Sequence, residues 1–158
     1  MAFRPLANRG SMMRETPIPG YSMTAQDYAR RAFQNHGYQI RDVNGSGINF
    51  IASRPGESLG VIVSMRDRRA NNNPEVTYKQ QKINAALSES AGHGAEAAVF
   101  IVLVDNGIGV HSVWTTLESL IHSRGASAYY NPMTNTYSRS TLSFKIDEGS
   151  RSTWVPWS

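Results

Sequence analysis

The chain has 158 residues, 40% hydrophobic and 18% charged, which is enough for one buried core. It contains no cysteine, which excludes disulfides and thiolate metal sites, and no apolar run long enough to cross a bilayer as a helix. The net charge of +4 comes mostly from arginine, since Lys79, Lys82 and Lys145 are the only lysines; an anionic partner such as nucleic acid and a GC-rich genome that favours arginine codons account for it equally well.

Residues 1–23 read as an arm, with Arg4, Arg9 and Arg14 spaced among Pro5, Gly10, Pro17 and Pro19. A single domain is expected over 24–148, and a tail over 149–158. Thr24 to His36 has the strongest helical period: Ala25, Tyr28, Ala29, Ala32, Phe33 and His36 fall on one stripe. Thr24 supplies the cap, Asp27 follows three residues on, and Gly37 supplies the stop. His36, at the end of the stripe, is expected to be partly buried. Tyr38 to Val43 follows as a strand, and Asn44-Gly45-Ser46-Gly47 as a turn of the kind that takes positive φ.

The stretch 47–69 reads as a hairpin. Ile48, Phe50 and Ala52 alternate with Asn49, Ile51 and Ser53; Val61, Val63 and Met65 alternate with Ile62, Ser64 and Arg66, around a turn at Pro55-Gly56. Arg66, Arg68 and Arg69 then form the densest basic spot of the chain, with Asp67 among them. Such a cluster past a strand end suits phosphate, while a solvated loop needs no partner at all. Val76 to Ser90 is expected to be a second helix, with Lys79, Gln80 and Lys82 away from its apolar face. Gly92-His93-Gly94 ends it. Ala97 to Val104 is continuously apolar and β-branched, as befits a central strand buried on both faces. A return strand runs from Gly109 to Trp114. Thr115 and Glu118 have capping-box spacing before a short helix. Tyr129, Tyr130 and Tyr137 flank a hairpin tip, and Leu142, Phe144 and Ile146 alternate as a strand. The tail carries Trp154 and Trp157 but almost no strand or helix pattern.

The order helix–strand–strand–strand–helix–strand resembles the core of the PD-(D/E)XK nuclease superfamily, the restriction-endonuclease-like fold. The resemblance covers about residues 24–122. It implies an α/β domain with a mixed central sheet flanked by helices, here with a β-rich C-terminal extension. In that family the second strand opens on an acid, as in G-x-D-F/L-I, and the third carries E-x-K. The matching positions here are Asn49, Ser64 and Arg66. An amide, a hydroxyl and a guanidinium do not replace two carboxylates and a lysine: Mg²⁺ needs hard anionic oxygens, and Arg66 repels it. The start of the second helix, Thr77 to Lys82, is similar to the Tyr/Gln/Lys-rich segment that lines the substrate groove in several nuclease-like families.

The resulting expectation is a nuclease-like module with no catalytic residue, metal or cofactor. It would bind nucleic acid, or a nucleic-acid-processing partner, through Arg66, Arg68, Arg69, Lys79, Gln80 and Lys82. A second reading is a structural subunit of an assembly such as a virion. It would contact neighbours or other copies of itself through its termini, with Trp154 and Trp157 against the partner. A third is an active nuclease in which Asp42, Glu57 or Asp67 has taken over as metal ligand. No recognisable secretion signal opens the chain, so a cytoplasmic or virion-associated protein with no membrane partner is expected.

Overall fold

The computed structural model describes residues 15–45, 47–70, 75–107, 109–146 and the backbone of 155–157. Helix α1 (Ala25–Asn35) starts where Thr24 Oγ1 accepts the Asp27 amide at 3.1 Å, and the chain leaves it through Gly37 at φ +87°. Its buried stripe of Ala25, Ala29 and Phe33 packs on one face of the central sheet. Phe33 meets the rings of Tyr38, Phe50, Phe100 and Trp114 at centroid distances of 5.1 to 6.0 Å. His36 is exposed, not partly buried as expected, because the helix has ended at Asn35; its backbone N–H caps the helix and its carbonyl accepts from Arg54 Nη1 at 2.9 Å.

Within the segment 1–23 expected as an arm, residues 15–23 pack on α1: Ile18 is buried among the α1 residues, and Glu15 joins Arg30 at 2.9 Å and the Thr24 hydroxyl at 2.8 Å. Residues 1–14 lie outside the described residues.

Six strands make the central sheet. They are β1 (Gln39–Asp42), β2 (Phe50–Arg54), β3 (Glu57–Asp67), β5 (Glu96–Asp105), β6 (Gly109–Thr116) and β10 (Val155–Trp157), in the order β1-β2-β3-β5-β6-β10. Only the β3–β5 pair is parallel. The β2–β3 hairpin turns at Pro55-Gly56, where proline fixes φ and Gly56 takes φ +82°. Both faces of the hairpin are covered. Phe50, Val61 and Val63 face α1, whereas Ile51 and Ile62 face the opposite layer. Within β5, Ala98, Phe100 and Val102 face α1 while Val99, Ile101 and Leu103 face the other side, which accounts for the unbroken apolar run.

The opposite layer holds α2 (Gln80–Gly92), α3 (Leu117–Ser123) and a small second sheet. Here the expected boundary fails. Residues Glu75–Lys79 are a strand, β4, paired antiparallel with β9 (Thr141–Lys145), and α2 begins only at Gln80. Val76 and Tyr78 are buried and Glu75, Thr77 and Lys79 exposed, so the period is two. Two other boundaries differ. Thr116, not Thr115, caps α3 by accepting from the Ser119 amide, because Thr115 is buried within β6. The Asn44–Gly47 turn does not use positive φ at Asn44, Gly45 or Gly47. Gly47 is needed for close approach instead: a Cβ there would lie 2.6 Å from the Ala85 carbonyl of α2.

The C-terminal extension is β-rich as expected. Strands β7 (Tyr130–Asn131) and β8 (Thr136–Tyr137) form a short hairpin, and Asn84 of α2 clamps it by accepting from Tyr137 N and donating to Tyr137 O. The tail, expected to lack a strand, adds β10 at the edge of β6, with Pro156 opposite Val113. An edge position suits a residue with no amide to donate. Trp154, and everything of Trp157 beyond its backbone, lie outside the described residues. Among those residues no helix is long and apolar enough to cross a membrane.

Candidate nucleic-acid interface

Asn49 sits just before β2, buried to 1% exposure. Its amide N–H donates to Val61 O at 2.7 Å, and its Oδ1 accepts the Val63 N–H at 2.8 Å. The residue thus prolongs the β2–β3 ladder beyond Phe50, the first residue of β2, with one backbone and one side-chain bond to β3. A buried Asn is tolerated here because it satisfies a β3 donor that would otherwise lack one. It also places Asn49 beside Val63, the residue preceding Ser64.

Ser64 and Arg66 share the face of Ile62, towards β4 and α2. The Ser64 hydroxyl lies 2.6 Å from the Tyr78 hydroxyl of β4. Burial pushes the Tyr78 phenol up to about 12, so it stays protonated and able to donate. Lys82, in the first turn of α2, holds its ammonium 4.8 Å from the centroid of the Tyr78 ring. Burial, and secondarily the charge of Arg66, holds that ammonium below the ordinary lysine value. Arg66 donates from Nη1 to the carbonyl of its own neighbour, Met65 O, at 3.1 Å. Among the described residues neither Arg66 nor Lys82 forms an ion pair.

The other cations differ. Arg68 is held by a two-pronged bond to Asp105, Nε at 2.7 Å and Nη2 at 2.6 Å, and the same carboxylate meets His111 Nε2 at 2.5 Å. Arg69 grips Asp67 in the same manner at 2.9 and 2.8 Å, which pulls the Asp67 carboxyl down to about 2. The dense basic spot of the sequence is therefore largely neutralised by its own carboxylates, one of which, Asp105, lies far away in sequence. Lys79 is exposed at the end of β4. Gln80 is half-buried and donates its backbone N–H to Ser140 O at 2.8 Å. Tyr78 is the side chain that connects these groups. Sequence reasoning placed it on a helix, and the missed signal was the alternation of Val76 and Tyr78.

Asp42 and Glu57, named as alternative metal ligands, are engaged elsewhere. Asp42 pairs with Arg30 at 3.2 Å, and Glu57 with Arg54 at 3.0 Å and the Tyr38 hydroxyl at 2.6 Å. Among the described residues no group of three or more His, Asp or Glu is placed to hold a metal ion. A cavity of about 580 Å³ lies away from Ser64 and Arg66, between α3 and the β7 hairpin, lined by Glu96, Glu118, His122, Ser127 and Tyr130. Burial and, next, the Glu118 charge raise the Glu96 carboxyl there.

The helix, the antiparallel β1–β2–β3 unit, the crossover through α2 and the parallel strand β5 together make this the restriction-endonuclease-like, PD-(D/E)XK nuclease fold. The chain is similar in structure to Hjc, a Holliday junction resolvase from the archaeal hyperthermophile Archaeoglobus fulgidus. The TM-score is 0.53 at 11% identity, over 83% of this chain and 87% of that one. No protein-family model and no curated protein matches the sequence. At this identity the likeness concerns the fold, and the chemistry rests on the residues of this chain.

Proposed function

We propose that the protein is a nuclease-like module that binds nucleic acid without cutting it. The observation that carries this is the charge at the site. Where the fold's nucleases need two carboxylates, this chain has an amide oxygen already bonded to Val63 and a hydroxyl already bonded to Tyr78. Beside them stand two cations, Arg66 and Lys82, without ion-pair partners among the described residues. A site of that sign repels Mg²⁺ and attracts phosphate. Lys79 and Gln80 extend the surface along the start of α2, and Arg68 and Arg69 lie on its rim.

Binding of a fluorescent DNA duplex, followed by anisotropy across a salt series, tests the reading. Affinity falls steeply with salt and is indifferent to EDTA. Arg66→Ala weakens binding more than Arg68→Ala or Arg69→Ala, whose charges are already matched by carboxylates. Mg²⁺-dependent cleavage by the purified protein, or no binding at low salt, overturns it.

A further inference from the structure

We infer that Ser64, Arg66, Tyr78 and Lys82 form a subsite that takes one phosphate group directly, with protein cations in the role a metal ion would otherwise fill. The inference rests on the nucleic-acid reading above only for the source of that phosphate.

Three features support a built site over a chance pair of surface charges. First, the cations come from different elements, β3 and α2: the Lys82 ammonium lies over the Tyr78 ring, and the Arg66 charge acts on both Tyr78 and Lys82. Holding two like charges together in a half-buried place is unfavourable unless an anion joins them, and among the described residues no carboxylate does so. Burial first, and then the Arg66 charge, lower the Lys82 ammonium, and an oxyanion between the two cations offsets both.

Second, Lys82 is aimed. Its ammonium lies over the Tyr78 ring, so less side-chain freedom is lost on binding than for a free surface lysine. Tyr78 itself is 4% exposed and is anchored in the core beside Phe144, with ring centroids 5.6 Å apart.

Third, the hydrogen-bond inventory leaves donors over. Ser64 and Tyr78 own two hydroxyl protons and use one between them. Either hydroxyl can donate to the other, and where Tyr78 donates, the half-buried Ser64 hydroxyl keeps its proton for an anion. Arg66 spends one N–H on Met65 O, and the rest of its planar fork is of the shape that grips two oxygens of a tetrahedral oxyanion. Acceptor-only chemistry with several oxygens and negative charge is what this set recognises.

The test uses the full chain and two probes, inorganic pyrophosphate and a short DNA duplex, each titrated by calorimetry in EDTA. Pyrophosphate is expected to bind and to compete with the duplex. Lys82→Met, which keeps the packing on Tyr78, lowers pyrophosphate affinity about tenfold or more, the usual size for a charge-assisted hydrogen bond. Lys82→Arg restores it, and circular dichroism confirms that both variants fold. If the duplex binds the parent but pyrophosphate affinity is unchanged in Lys82→Met, the subsite is wrong and the nucleic-acid reading stands. If pyrophosphate binds through Lys82 and the duplex does not bind, the subsite stands and its phosphate comes from a free anion. If pyrophosphate does not bind the parent at all, the subsite is overturned outright.

Discussion

Asn49→Ala isolates what this residue now does. In the parent its Oδ1 accepts the Val63 N–H at 2.8 Å in a place exposed by only 1%. Truncation leaves a buried β3 amide without the protein acceptor it now has. An unsatisfied buried donor costs about 1–3 kcal/mol, and the lost side-chain volume adds to that, so a loss of about 2–3 kcal/mol is expected. For a domain of ordinary stability this is a large fraction of the total. Asn49→Leu separates the two causes: it refills the volume but cannot accept, so it should remain close to the Ala variant. Urea denaturation monitored by tryptophan fluorescence gives both values, and hydrogen exchange should show the Val63 amide losing protection in both. Losses below about 0.5 kcal/mol in both variants would refute the assignment of Asn49 to the β2–β3 ladder.

Two further outcomes are expected. The Asp105 carboxyl is held below its ordinary value first by the Arg68 hydrogen bonds. Its stabilising effect is thus complete above the unfolded-state value near 4 and disappears as pH falls through the lower folded value. Acid unfolding of Asp105→Asn should therefore be shallower below about pH 4 than that of the parent, and superimposable curves would count against the linkage. Gly47→Ala would drive a Cβ to 2.6 Å from the Ala85 backbone and push α2 off the hairpin, for a loss of about 1–3 kcal/mol by thermal or urea unfolding.

The elements that could be read from the sequence were those whose partners are local. Helix α1 carries its own cap and stop, the β2–β3 hairpin its own Pro-Gly turn, and β5 a run of apolar residues that nothing but a two-sided interior accommodates. Strand β4 was missed because its partner, β9, lies across α2, β5, β6, α3 and the β7–β8 hairpin. Val76-Thr77-Tyr78 also fits the leading turn of a helix until that partner is known. The tail strand β10 was missed for the same reason: three residues containing a proline carry no periodicity, and only the free edge of β6 makes them a strand. Charge misled in a related way. Arg66, Arg68 and Arg69 look alike in sequence, but Asp105 and Asp67 claim the latter two. Asn49, by contrast, could be placed because hairpin register alone brings it to Val63, the residue preceding Ser64.

That adjacency makes the lost metal chemistry open to reconstruction, with a condition set by Lys82. Arg66 and Lys82 give the parent site two positive charges. Asn49→Asp and Ser64→Glu add two negative ones, and Arg66→Lys keeps the cation count, so the triple variant reaches only neutrality. A neutral site holds Mg²⁺ poorly, since the ion's affinity depends on carboxylate charge that nearby ammonium groups would claim first. Adding Lys82→Gln takes the site to a net single negative charge and removes the group best placed to pair with the new glutamate. Calorimetry should find negligible Mg²⁺ binding in the parent and the triple variant and measurable binding in the quadruple variant. The new aspartate is expected to keep one oxygen on the Val63 N–H and turn the other to the ion. A triple variant that binds Mg²⁺ as well as the quadruple would show that Lys82 does not share the site. A folded quadruple variant that binds no metal would show that Asn49 and Ser64, though adjacent, do not face a common point.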